Sequence, residues 1–175
     1  LSGVFPAFHN RLLLDQKNRL SFYEGGREFS RVIYVDSLTG STTENYFRPF
    51  VDMKFRRTGE LTMLDARSVR LYQDSGLLRW STPLWPGSGN SYSINSNGQC
   101  LVSGNARVQM IDASGWRRWE WRPAGIIIST ISAEWVDARR FLIGYSAAYE
   151  PKSVLLLVEL LENSNAPEPV GQLET

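Results

Sequence analysis

Short runs of alternating apolar and polar residues, separated by Gly, Ser, Asn and Asp, make up most of the chain. The clearest is Val69-Arg70-Leu71-Tyr72-Gln73-Asp74-Ser75-Gly76-Leu77-Leu78-Arg79-Trp80, which returns as Val108-Gln109-Met110-Ile111-Asp112-Ala113-Ser114-Gly115-Trp116-Arg117-Arg118-Trp119. A period of two puts successive side chains on opposite faces of a strand. A strand, a Ser-Gly turn and a second strand read as a β-hairpin. The copies lie 39 residues apart without a gap, and the same offset carries Gly59 onto Gly98, so the repeat extends upstream. No stretch has the spacing of an amphipathic helix.

Two weaker copies flank the strong pair, giving units at about 4–36, 45–82, 88–123 and 126–161. In the first, Leu20-Ser21-Phe22-Tyr23-Glu24-Gly25-Gly26 matches Val69 to Gly76 after one gap, Phe29 stands at the tryptophan position, and Asn10 to Leu14 is the preceding strand. In the last, Trp135 to Gly144 resembles Ile94 to Ser103 and leads to Val154-Leu155-Leu156-Leu157-Val158, without the Ser-Gly turn or its tryptophan. Terminal repeats commonly depart from the pattern in this way. Each unit predicts a three- or four-stranded antiparallel sheet whose first turn is Arg57-Thr58-Gly59, Asn97-Gly98 or Asp137-Ala138. In the third strand Leu20, Val69, Val108 and Leu155 share a position, and Phe22, Leu71, Met110 and Leu157 another. Tyr23, Tyr72, Ile111 and Val158 fall on the opposite face, so each sheet packs against a neighbour on both sides. Between units, Val32 to Gly40 predicts a strand and turn, and Pro83 to Asn90 an irregular loop with Trp85 at its tip. The segment 162–175, rich in Pro and Asn, predicts a polar linker with too little apolar content to fold.

Composition narrows the function classes. A chain of 175 residues suffices for one domain that buries about 70% of its unfolded surface, or for several repeats sharing cores. With 19 basic and 18 acidic residues there is no general attraction to nucleic acid or to an anionic membrane. The longest apolar runs fall short of the roughly 20 residues that cross a bilayer, which predicts a soluble chain. Cys100 stands alone, which excludes an intrachain disulfide and a multi-cysteine zinc site. The sequence begins at Leu1, which leaves a removed leader, and with it the compartment, open.

The repeats resemble β-propeller blades, in particular those of the pyrroloquinoline-quinone-type and WD-like repeat families, whose blades close with an Asp-rich turn, Ser/Thr-Gly and Trp. Asp112 to Trp119 carries this signature most fully. The copy at Asp74-Ser75-Gly76 to Trp80 has Tyr72 where Asp is favoured, and Asp36-Ser37-Leu38-Thr39-Gly40 has the turn without the tryptophan. The resemblance implies an all-β array of about four blades, with two apolar end faces that call for a small closed ring, pairing with a second copy, or a place in a larger propeller. A second resemblance is to bulb-type mannose lectins, which fold as a three-sheet prism and bind sugar through Gln-x-Asp-x-Asn-x-Val-x-Tyr. The matching positions here are Met63, Asp65, Arg67, Val69 and Leu71, and in the next copy Val102, Gly104, Ala106, Val108 and Met110, which keep few of the polar ligands.

Catalytic chemistry finds little support. His9 is the single histidine, beside Phe8, so a nucleophile-histidine arrangement has only this residue to use, and it reads more simply as a strand-end imidazole. The quinone enzymes of the propeller resemblance hold their cofactor on the axis of a full ring with a calcium-ligating acidic cluster, for which this chain has neither the blades nor the acids. No cofactor is expected. Asp112 and Asp137 read as turn residues, and Cys100, aligned with Leu61 inside a strand, as a buried inert thiol. Gly115-Trp116-Arg117-Arg118-Trp119-Glu120-Trp121-Arg122 interleaves aromatics with arginines as single-stranded nucleic-acid sites do, but alternation puts Trp119 and Trp121 with Arg117 on one face and Trp116 with Arg118 on the other. Packing on the next blade explains Trp119 and Trp80 more simply than nucleic acid does. The candidate binding surface is therefore Trp85, Trp116, Arg118 and the turn arginines Arg56, Arg57, Arg139 and Arg140, which fall at equivalent turns and would line one rim. The expected function is a non-enzymatic protein-interaction or assembly scaffold whose partner is another protein or a second copy. The alternative is a glycan-binding module using loop tryptophans such as Trp85.

Overall fold

The computed structural model describes residues 12–14, 19–25, 30–36, 38–47, 50, 52–56, 59–65, 67–73, 75–85, 91–104, 106–123, 128–149, 152–160 and 168–174. The alternating segments form strands throughout, joined in sequence order into four antiparallel four-stranded meanders. Sheet I contains β1 (Leu12–Leu14), β2 (Arg19–Gly25), β3 (Ser30–Asp36) and β4 (Thr42–Phe47). Sheet II contains β5 (Asp52–Phe55), β6 (Leu61–Leu64), β7 (Ser68–Tyr72) and β8 (Leu78–Pro83). Sheet III contains β9 (Ser91–Ile94), β10 (Cys100–Gly104), β11 (Arg107–Ile111) and β12 (Arg117–Trp121). Sheet IV contains β13 (Ile128–Trp135), β14 (Arg140–Ala147), β15 (Ser153–Glu159) and β16 (Glu168–Glu174).

Apolar residues on both faces of each strand dictate the stacking. One face of β3 buries Val32 and Tyr34 against Met53, Leu61 and Met63 of sheet II. The other face of sheet II, Leu64 and Val69, meets Tyr92, Cys100, Val102 and Ile111 of sheet III. Leu101, Val108 and Met110 on the far side of sheet III meet Phe141, Ile143, Leu156 and Val158 of sheet IV. Three cores thus lie between four sheets, and sheets II and III each present a leading face to the sheet before and a trailing face to the sheet after. The inner strands approach one another: the Tyr92 hydroxyl of β9 donates to the Thr62 carbonyl of β6 at 2.7 Å, and the Ser93 hydroxyl of β9 meets Glu134 of β13 at 2.6 Å. The fourth strands lie outermost, and β12 leaves most of its side chains exposed.

Short polar side chains fix the turns. Asp36, Asp65, Asn95, Asp112 and Asp137 each accept backbone N–H groups two to four residues on, which sets the chain reversal locally.

Two expectations are corrected. The third strand of sheet I is Ser30–Asp36, not the segment at Leu20, which lies in the second strand β2. Its turn, with Gly40 N–H donating to Asp36 O, matches Gly76 to Gln73 O and Gly115 to Asp112 O, so Val32 and Tyr34 occupy the places of Val69 and Leu71. The Gly25-Gly26 pair imitated the Ser-Gly signal, and the unit continues to Phe47. Phe29 lies outside the described residues. The segment 162–175 is also more than a linker, since Glu168–Glu174 pairs antiparallel with β15. An outermost strand needs only backbone partners, so it can be wholly exposed and polar, and Pro169 is tolerated beside the register shift at Leu157/Val158.

Candidate functional site

Because the sheets converge at their first strands, their outer strands diverge. Between sheets II and III this opens a groove of about 480 Å³, lined by Trp80 to Pro83 of β8 and by Ser114, Gly115, Trp116 and Arg117 at the β11–β12 turn. Its floor is a tight inter-sheet contact. The Trp80 indole lies so close over Gly115 that a Cβ there would stand 2.8 Å from ring carbons, and its N–H donates to the Ala113 carbonyl at 3.1 Å. The Thr82 hydroxyl donates to the Gly115 carbonyl.

The lip is held by Asp112. One carboxylate oxygen accepts the N–H groups of Ser114 and Trp116, each at 2.9 Å, and the other pairs with Arg118 Nε at 2.6 Å. Partial burial works to raise the Asp112 pKa, but the Trp116 amide, Arg118 and the Ser114 amide outweigh it, and the carboxyl titrates below its ordinary range. This rigid turn holds the Trp116 indole in solvent, 68% exposed.

A β-bulge shapes the opposite part of the wall. Met110 pairs with Trp119 but Ile111 pairs with Arg117, so Arg117 leaves the Trp119 face that strict alternation predicts and turns toward sheet II. There it meets Trp85. The indole is 45% exposed, yet the guanidinium of Arg117 lies 5.1 Å from its centroid and that of Arg107 5.5 Å. Arg107 in turn pairs with Glu120 at 2.8 Å. Trp85 therefore has a packing role the sequence did not show, as a cation–π bridge from the chain after β8 to sheet III.

The remaining candidates are elsewhere. Arg56 is buried rather than lining a rim: it donates to the Gly98 carbonyl at 2.7 Å and stacks 5.6 Å from the Trp80 centroid. Its burial follows from joining turns of two sheets, a role repeated one sheet on, where Asn95 Nδ2 donates to the Ala138 carbonyl at 3.0 Å. Arg139 and Arg140 are exposed at the β13–β14 turn, Arg140 on Asp137 at 2.7 Å and Arg139 on the Leu160 carbonyl at 3.4 Å. Arg57 and His9 lie outside the described residues. Trp80 and Trp119 do pack on the following sheets, Trp119 edge-on to Phe141 at 5.7 Å, though both keep part of their surface. Cys100 is fully buried, and burial pushes its thiol up to about 11 despite the nearby Arg56 guanidinium. Among the described residues no three His, Cys, Asp or Glu side chains gather to hold a metal.

Stacked four-stranded meanders with converging first strands are the blades of a β-propeller, and the fold is all-β. Solved propellers share it. The chain matches Hsv2 of Kluyveromyces lactis with a TM-score of 0.66 at 9% identity, over 93% of this chain and 61% of that one. It matches the Pan2 WD40 domain of Neurospora crassa with a TM-score of 0.57 at 18% identity, over 98% and 52% of the two chains. The WD40 domain of SCAP from fission yeast gives 0.52 at 9% identity, over 96% and 52%. The chain thus spans about 60% of the length of Hsv2 and about half of the other two. These neighbours are WD40-type and other propellers, and the finer likeness to pyrroloquinoline-quinone-type blades finds no counterpart among them. The stacked array also sets aside the three-sheet lectin prism. No family model and no curated protein matches the sequence.

Proposed function

We propose that this chain is a non-enzymatic interaction scaffold that docks an extended segment of a partner protein in the groove between sheets II and III. The observation that carries this reading is Trp116, an indole held 68% in solvent by a turn that Asp112 fixes from both carboxylate oxygens. Exposed tryptophan on rigid backbone binds at low entropic cost and is the commonest kind of interface anchor. Beside it the groove supplies the Trp80 edge, the hydroxyls of Ser81, Thr82 and Ser114, and the Arg117 cation, which suits a chain with one apolar anchor and polar or acidic neighbours. The glycan reading rests on the same indole and hydroxyls, so one experiment serves both. A phage-displayed library of 12-residue peptides panned on the chain is expected to enrich binders that Trp116→Ala weakens by about tenfold or more. Absence of enrichment, alongside a glycan array whose signal disappears in the same variant, would overturn the protein-scaffold reading in favour of the lectin one.

A further inference from the structure

The trailing face of sheet IV repeats, position for position, faces that are buried elsewhere. Val32 and Tyr34 of β3, Val69 and Leu71 of β7, and Val108 and Met110 of β11 all lie against or toward the following sheet. Their equivalents in β15 are Leu155 and Leu157, which fall on the face opposite Leu156 and Val158. Leu142 pairs with Leu157 and Leu173 with Leu155, so the same face carries four leucines, of which Leu155 is 40% and Leu173 60% exposed. Gly144 opens a hollow of about 340 Å³ in their midst, where a Cβ would find nothing closer than 3.5 Å. The polar link between turns repeats as well. Arg56 reaches from sheet II to III and Asn95 from III to IV, and the next equivalent is Val136, whose amide closes its turn on the Arg140 carbonyl as that of Arg56 does on Glu60. Val136 is 53% exposed.

Sheet I has the matching half. Ile33 and Val35 lie opposite the face that sheet II covers, and the registers place Leu12 and Phe22 in the row of Ile33, and Leu14 and Leu20 in the row of Val35. This leading face is the counterpart of the one with which sheet III, through Cys100, Val102 and Ile111, covers sheet II. Among the described residues no apolar core joins sheet IV to sheet I.

We propose that the trailing face of sheet IV docks on the leading face of sheet I of a second copy of this chain, and the reciprocal contact closes a two-fold ring of eight sheets. Eight lies within the four to eight blades that propellers use. Closed two-fold assemblies satisfy every copy of an interface, whereas one head-to-tail contact would leave a face open at each end. The occupant is a second copy because each junction continues an interface already built three times within the chain.

Sedimentation velocity of the wild-type chain across micromolar concentrations tests this directly, and the expected result is the mass of two chains. Leu155→Glu and Ile33→Glu each break both junctions of a ring, and each is expected to weaken dimerisation about 100-fold or more by placing a charge in an apolar contact. Mixed together, the two variants retain one intact junction and are expected to regain dimer. Unchanged circular dichroism verifies folding, and Val35→Glu, on the same face of sheet I, serves if Ile33→Glu does not fold. A wild-type monomer, an open series of higher oligomers, or a dimer that Leu155→Glu breaks while Ile33→Glu leaves it intact would each overturn the ring.

Discussion

Gly115→Ala separates backbone strain from packing at the floor of the groove. Gly115 has φ +90°, where an L side chain is strained by about 1–2 kcal/mol, and its added Cβ would stand 2.8 Å from the Cγ and Cδ2 atoms of Trp80. That ring has little room to move, being stacked on Arg56 and hydrogen-bonded to Ala113. Forcing it aside is an overpacking cost of about 1–3 kcal/mol. The expected destabilisation is therefore about 2–5 kcal/mol. Gly40 provides the control, with φ +69° and nothing within 4 Å of its Cβ position, so Gly40→Ala should show the strain alone. Urea unfolding gives both values, read from midpoints at unchanged m. In a Trp80→Ala background the Gly115 substitution should fall to the strain value, because the double-mutant cycle removes the clash. If Gly115→Ala and Gly40→Ala agree within about 0.5 kcal/mol, the Trp80–Gly115 contact does not hold sheets II and III together and the groove floor has been misread.

Three further outcomes are expected. Trp119→Ala, which empties the space against Phe141, should cost about 3–5 kcal/mol, and Trp85→Ala, which loses two cation–π contacts at a half-exposed site, about 1–2 kcal/mol, both measured by urea unfolding. Asp112 has its folded pKa lowered, so its contribution to stability is complete above the unfolded value of about 3.9 and is lost as pH falls through the folded pKa; Asp112→Asn should destabilise at pH 7 by an amount that shrinks as pH falls below about 3.9, and an acid titration of both proteins that stays parallel would contradict the lip geometry. Cys100, buried with its thiol pushed up to about 11, should resist a thiol reagent at pH 8 in native protein and react when urea unfolds it, so rapid native labelling would place it at the surface.

The fold was legible where the repeat was strict. Two hairpins in register at 39 residues specify sheets II and III, and period-two alternation assigned Val69, Leu71, Val108 and Met110 correctly to one shared face. Sheet I was misaligned because Gly25-Gly26 looks like a blade-closing turn, while the true turn at Asp36 to Gly40 is one residue longer than its counterparts. Strand β16 was illegible for a physical reason: all its side chains are exposed, so no hydrophobic pattern marks it, and backbone pairing with β15 is what places it. In the candidate site, an exposed Trp116 and a tip-loop Trp85 could be anticipated from their positions outside the packing pattern. The burial of Arg56 could not, because an arginine in a turn reads as solvated until the neighbouring sheet is brought over it. A sequence cue did exist, since Arg56 and Asn95 hold the same repeat position and each finds an acceptor on the next sheet, at Gly98 and Ala138.

Departures from the repeat make the site specific. The Ser-Gly turn occurs at Gly76 and Gly115, and each glycine accepts a side chain of the preceding sheet, Asn45 at the first and Trp80 at the second. The sequence between β15 and β16 has no Ser-Gly pair, and at this next junction sheet III packs Trp119 and Trp121 against Phe141 and Tyr145. The residue after the glycine is Leu77 in one copy and Trp116 in the other, both exposed. At the second junction a tryptophan after β8 is also clamped by two arginines from the facing sheet. The framework thus uses the same backbone turn twice, and two substitutions at equivalent places (leucine to tryptophan at the lip, and Leu78 to Arg117 behind the bulge), together with Trp80 rather than an asparagine as the side chain over the glycine, turn one of the two junctions into an aromatic, cationic groove. A bulge re-aims Leu78 and Arg117 alike, toward the preceding sheet in both copies. Function on this fold is therefore sought where equivalent positions differ, and in the described chain those differences converge between sheets II and III.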